Sequence, residues 1–244
     1  MYSVSFPAGE DTADAQTLAA NPDVASVTAD LSRDTATAPN DPRYADQWSL
    51  PQIGWDNVFG TINPGSSATV AVLDTGVDAS QPDLQGAVVP GTDIVDGSGD
   101  GTSDPNGHGT EMAGIVAAAT DNGQGIAGVG YSGVNVMPVT VLGADGTGLD
   151  SDVINGVVYA VQNGADVILM SFSNPGYSPA LQTAINYAWS HGVVVVAAVG
   201  NDGSSTVNFP AGDKGVVGVG STGIGDLPSS FSNTGPDVFL AAPG

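Results

Sequence analysis

The chain has only two histidines, and one of them, His108, stands between glycines in Asn106-Gly107-His108-Gly109-Thr110. Such a loop has no packing need for an imidazole, and it presents a ring able to carry protons near neutral pH. A second chemical position is Asp74 in Val72-Leu73-Asp74-Thr75-Gly76-Val77-Asp78, at the end of an apolar run. A carboxylate there is rigid and partly desolvated, which suits orienting a partner or nucleophilic attack. The same residue type also caps strand ends. The third is Asn201 in Ala197-Ala198-Val199-Gly200-Asn201-Asp202-Gly203. Its amide can donate to a developing oxyanion, or simply make a turn. His191 precedes a helix-ending Gly192, where a cation complements the helix dipole, and reads as structural.

These loops follow elements of a repeated β-then-α pattern. Ala68–Leu73, Val134–Leu142, Ala165–Met170, Val193–Ala198 and Gly215–Val219 are apolar runs of the kind buried parallel strands show. His108–Ala119 and Asp150–Asn163 are helix-compatible, the latter with Val153, Ile154, Val157, Val158 and Val161 on one face. Ser178 and Pro179 read as N-cap and first helical residue, Gly192 as the C-terminal stop, and Leu181, Ala184, Ile185, Ala188 and Trp189 as the stripe between them. The alternation predicts an α/β fold, a mostly parallel central sheet with helices on both faces. A site then belongs beyond the C-terminal ends of the strands. Residues 1–38 stand apart: Tyr2–Phe6 alternates like a strand, Asp11–Ala20 suits a helix, Val24, Val27 and Ala29 read as an extended run, and Leu31–Pro42 reads as a linker.

Three Lys plus Arg against 26 Asp plus Glu give a net charge of −23. That excludes a nucleic-acid binder, which needs cations to displace counterions, and argues against an anionic membrane surface. With 41% hydrophobic and 12% charged residues the chain can still fold. The absence of Cys removes disulfides, Cys-ligated zinc and thiol catalysis. No signal peptide is visible at the start. The Asp excess suits a salt-rich or calcium-rich exterior.

Asp74-Thr75-Gly76, His108-Gly109-Thr110 and Val193–Gly203, in that order, resemble the subtilisin-like serine proteases. Val141-Leu142-Gly143-Ala144-Asp145-Gly146-Thr147-Gly148, Ser229-Ser230-Phe231-Ser232 and Ala241-Ala242-Pro243-Gly244 are further landmarks. The resemblance implies a three-layer subtilisin-like peptidase domain over 39–244, incomplete at its C-terminus, and a polypeptide substrate. It makes Asp74 the orienting carboxylate, His108 the general base and Asn201 the oxyanion donor of an Asp-His-Ser triad. The family's Gly-Thr-Ser-x-Ala nucleophile motif is not present, so the Ser is expected beyond Gly244 and the chain as given is expected to be inactive. The alternative is a non-catalytic calcium- and peptide-binding protein on the same fold. A strand-end Asp as phosphoryl-transfer nucleophile is disfavoured, because position 76 is Gly rather than a second acid. Residues 1–38 resemble the tail of an inhibitory prosegment plus linker, carried by Ala20-Asn21-Pro22-Asp23-Val24, Val27 and Asp30. That segment would act as an intramolecular inhibitor.

Asp93, Asp96, Asp100 and Asp104 in the loop before His108 offer hard oxygen ligands suited to Ca²⁺. The loop begins like an EF-hand at Asp96 but lacks its Glu at position 12. By resemblance, Asp41, Asp83 and Asp121 form a second calcium site. No organic cofactor is implied. The pocket for the side chain before the scissile bond falls, by resemblance, between Ser171, Phe172 and Ser173 on one wall and Ala198, Val199 and Gly200 on the other. Ser173 and Asn174 replace the usual glycines and should narrow it, and Asp202 near its base would favour cationic side chains. Glu111 departs from the family pattern and reads as a first-turn acid favoured by the dipole. The family further implies a secreted, extracellular monomer.

Overall fold

Among the described residues seven strands form one sheet in the order β2-β3-β1-β4-β5-β6-β7, and every ladder between them is parallel. The strands are β1 (Ala68–Asp74), β2 (Thr92–Asp93), β3 (Val134–Thr140), β4 (Val167–Met170), β5 (Val194–Ala198), β6 (Val216–Thr222) and β7 (Leu240–Pro243). The helices are α1 (Asp11–Ala19), α2 (Ser49–Gln52), α3 (His108–Ala117), α4 (Asp150–Gln162) and α5 (Pro179–Ser190). The computed structural model describes residues 11–27, 38–64 and 67–244.

Alternation along the central strands builds three layers. Ala71 and Leu73 of β1 and Met137 and Val139 of β3 pack with α4 and α5 on one face. Val70 and Val72 of β1 and Val134 and Val136 of β3 pack with Ala113 and Ala117 of α3 on the other. Successive side chains of a strand point to opposite faces, so both faces need apolar residues and the strand reads as an unbroken apolar run. A third cluster, Leu50, Trp55 and Ala127 with Tyr44, Phe59 and Tyr131, anchors residues 44–62. Trp55 stacks on Phe59 with centroids 4.6 Å apart and donates its indole N–H to the Val129 carbonyl.

The strand order reverses at β1: β3 lies on one side of it and β4 on the other. That reversal opens a crevice at the C-terminal end of β1, where Asp74 stands. Local signals fix the helices that border it. Ser178 Oγ accepts the Leu181 N–H, Pro179 starts α5, and Gly192 follows its end at φ +78°. Asp150 and Asp152 sit in the first turn of α4, where the dipole favours them.

Some expectations are corrected. Trp189 is 61% exposed rather than part of the buried stripe of α5. It sits at the stripe's edge, beside the backbone of Gly215. The short β2 and the edge strand β7 were not expected. α3 stops at Ala117, because Ala118 turns to extended backbone.

The chain divides into two compact units, Met1–Thr35 and Ala36–Gly244. In the first, α1 is followed by a turn closed by Val24 N–H on the Asn21 carbonyl. Val24–Val27 forms no strand. The expected strand at Tyr2–Phe6, Ala29 and Asp30, and the linker up to Thr37 lie outside the described residues.

Candidate active site

Asp74 ends β1 with no solvent exposure, opposite Thr140 of β3. Its Oδ1 accepts the Thr75 N–H at 2.8 Å and lies 2.7 Å from Nδ1 of His108, the first residue of α3. Its Oδ2 is buried without a hydrogen-bond partner among the described residues. An ionised carboxylate only accepts, so Nδ1 carries the proton of this bond. In the neutral ring Nε2 is then unprotonated, the state a general base requires. The His108 side chain is 40% exposed, so the ring keeps access to a reactant.

Glycine makes this contact sterically attainable. A Cβ on Gly109 would lie 2.1 Å from the Gly76 carbonyl oxygen and 3.1 Å from Cβ of Asp74. Gly76 has φ +112°, and a Cβ there would lie 2.0 Å from the Ser103 carbonyl oxygen. The strand-end loop and the first turn of α3 thus meet backbone to backbone.

β5 delivers the third element. Met170 stands opposite Ala197, so β4 and β5 carry Ser171–Ser173 and Ala198–Gly200 out side by side. Gly200, at φ +103°, has no room for a side chain: a Cβ would lie 2.3 Å from Asn208 Nδ2, 2.5 Å from Asn233 Nδ2 and 3.0 Å from Ser173 Oγ. Asn201 follows it, exposed. Phe172 is partly buried against the main core. Asp202 Oδ2 lies 3.4 Å from Asn208 Nδ2, so this acid faces a neutral amide.

Two buried amides organise that turn, and the sequence reading missed both. Asn233 donates Nδ2–H to the Val199 carbonyl and accepts the Asp202 and Ser204 N–H groups on Oδ1, while its own N–H donates to the Gly200 carbonyl. Asn208 Nδ2 lies within reach of Ser173 Oγ and Asp202 Oδ2. Asn233 follows the Ser229–Ser232 landmark directly, which was the only available signal.

The acidic candidates part company. Asp104, one of the calcium candidates, accepts hydrogen bonds on both carboxylate oxygens. Oδ1 accepts from Thr75 Oγ1, Asn106 N and Gly107 N, and Oδ2 from Thr110 N and Oγ1. Asp93 accepts the Asp96 N–H, and Asp100 accepts the N–H and hydroxyl of Thr102, which holds its carboxyl below the usual range. Asp41 and Asp83 are buried and meet one loop. Asp41 accepts the Asp121 and Asn122 N–H groups, and Asp83 accepts Asn122 Nδ2–H and the Ile126 N–H. Asp121, exposed, accepts the Asn40 N–H. Among the described residues no group of three or more acids or histidines is gathered to hold a metal. His191 has Nδ1 2.8 Å from the Tyr187 carbonyl oxygen at the end of α5, as its structural reading anticipates.

The sequence pattern of the subtilase family matches residues 65–244. The chain is 44% identical over 212 residues to thermitase of Thermoactinomyces vulgaris, covering 84% of this chain and 73% of that protein. It is 42% identical over 210 residues to a thermophilic serine proteinase of Bacillus sp. (strain AK1), covering 86% of this chain and 52% of that one. It therefore spans about half the length of one curated relative and nearly three quarters of the other. Among solved structures it resembles proteases from Pseudoalteromonas arctica PAMC 21717, with TM-score 0.78 and 37% identity over 85% of this chain and 73% of that one.

Proposed function

The chain belongs to the subtilase family, and from that premise we propose that it carries the Asp–His pair and oxyanion donor of a serine endopeptidase. The observation that carries the reading is the 2.7 Å contact between Asp74 Oδ1 and His108 Nδ1 at the topological switch of the sheet. Asp74 holds the ring with Nε2 facing the reaction. His108 Nε2 takes the proton of a serine hydroxyl and returns it to the leaving amine. Asn201 donates its amide N–H to the oxyanion of the tetrahedral intermediate. The serine comes from residues that follow Gly244, in a Gly-Thr-Ser-x-Ala setting. The substrate is a polypeptide, with one side chain held between Ser171–Ser173 and Ala198–Gly200.

We further propose a structural calcium ion at Asp41 and Asp83 with the 121–126 loop. Two buried carboxylates with no cationic partner among the described residues leave negative charge uncompensated, since the ion pairs there are Arg43–Asp46 and His108–Asp74. Hard oxygen donors suit calcium, which would cancel that charge and tie residues 40–41 to the loop. Residues 1–38 are proposed as an inhibitory prosegment and linker, and the protein as an extracellular monomer. Among the described residues no helix is long and apolar enough to cross a membrane.

The test is hydrolysis of a fluorogenic peptide by the polypeptide extended through the serine motif, compared with His108→Ala. Turnover that falls at least about 10³-fold in the variant supports the reading. A folded extended protein that binds peptide without hydrolysing it would replace this reading with that of a binding protein.

A further inference from the structure

Two threonine hydroxyls cross-brace the loop after β1 to the first turn of α3, and both hand their proton to one carboxylate. Thr75 Oγ1 accepts the Gly109 N–H at 3.1 Å and donates to Asp104 Oδ1 at 2.8 Å. Thr110 Oγ1 accepts the Asp78 N–H at 2.9 Å and donates to Asp104 Oδ2 at 2.6 Å. One brace thus runs from the strand end to the helix and the other from the helix to the strand end. A hydroxyl has one proton, and its direction decides where its lone pairs point. An ionised carboxylate offers only acceptors, so it turns both protons inward and both sets of lone pairs toward the backbone N–H groups. Burial opposes ionisation of Asp104, but hydrogen bonds from Thr110, Gly107 and Thr75 outweigh it and hold its carboxyl below the usual range.

The braces flank the reacting pair. Thr75 follows Asp74, and Gly109 follows His108. We propose that Asp104 is the positioning residue of the Asp74–His108 pair, fixing the two segments that carry the carboxylate and the imidazole through the hydroxyls of Thr75 and Thr110. A helix cap would need only the N–H contacts at Gly107 and Thr110, at 2.8 and 2.9 Å. The bond from Thr75, on a different element, exceeds what capping requires. The proposal rests on reading Asp74 and His108 as a working pair.

The test reads the pair itself in the 244-residue chain, through the His108 Nδ1 proton in NMR of protein with ¹⁵N-labelled histidine, assigned by its loss in His108→Ala. Asp104→Asn puts a donor where the braces need an acceptor. Thr75→Val removes one brace at constant shape, and Thr75→Ser keeps it. Near-UV circular dichroism reports the fold. The expected result is a slowly exchanging Nδ1 proton in the wild type and Thr75→Ser, and exchange about tenfold faster in Asp104→Asn and Thr75→Val. If either of the latter folds and keeps wild-type exchange, Asp104 only caps the helix and the proposal is overturned. Absence of the resonance from the wild type overturns the pair and its positioning together. Lack of peptide turnover by the extended polypeptide, with the resonance intact, overturns only the peptidase reading.

Discussion

Replacing Asp213 with Asn is expected to stabilise the protein, and to do so only above about pH 4. Asp213 lies in the turn before β6, its N–H on the Pro210 carbonyl and its carbonyl accepting from Val216. Both carboxylate oxygens are buried without a hydrogen-bond partner among the described residues, and the residue is 4% exposed. Burial, and then the charge of Asp150, push the carboxyl from an ordinary 3.8 up to about 6. A carboxyl whose folded pKa is raised binds its proton more tightly in the folded state. Its contribution is therefore full below pH 3.8, and stability is lost as pH rises from about 4 to 6. The difference, 6 − 3.8 = 2.2, corresponds to a ceiling of about 3 kcal/mol. Relaxation of the protein around the ionised carboxylate reduces this to about 1–2 kcal/mol. Asn matches the protonated acid in shape and charge, so Asp213→Asn should gain about 1–2 kcal/mol at pH 8 and nothing at pH 4. Urea unfolding followed by fluorescence of the three tryptophans at pH 4, 6 and 8 measures this. A variant no more stable than wild type at pH 8, or one whose gain persists at pH 4, would refute the argument.

Other outcomes follow from the same geometry. Gly109→Ala drives a methyl into the Gly76 carbonyl and should cost about 1–3 kcal/mol in urea unfolding. Calcium at millimolar concentration should raise the thermal midpoint, and Asp83→Asn should erase that increment. An equal increment in the variant would remove Asp83 from the site. In the extended polypeptide, Asp74→Asn should lower kcat about 10⁴-fold by losing the tautomer control of His108. Asn201→Ala should lower it about 10²–10³-fold, the range known for the corresponding donor of subtilisin. Near-wild-type kcat in either variant would remove that residue from the mechanism.

By itself the sequence determined the elements whose causes are local, and it singled out the residues of the proposed site. Parallel strands buried on both faces require continuous apolar runs, so β1, β3, β4 and β5 were legible to within a few residues. Ser178, Pro179 and Gly192 bounded α5, because caps depend on neighbours in the chain. Asp74 stood out at the end of an apolar run, His108 between glycines that let backbone pack close, and Asn201 just after the Gly that ends another apolar run. Only the tertiary structure decided who meets whom. The two-residue β2 exists because β3 offers an open edge. Trp189 belongs to an apolar stripe by period yet lies mostly in solvent. Asp104 read as one calcium candidate among several acids, and its hydrogen-bond partners Thr75, Asn106, Gly107 and Thr110 were visible only in space. Asn233 is separated by 29 to 34 residues from the groups of the turn that it organises. The physical reason is common to all of these. Hydrogen-bond donors and solvent exposure are set by distance in space, and a sequence records distance only along the chain.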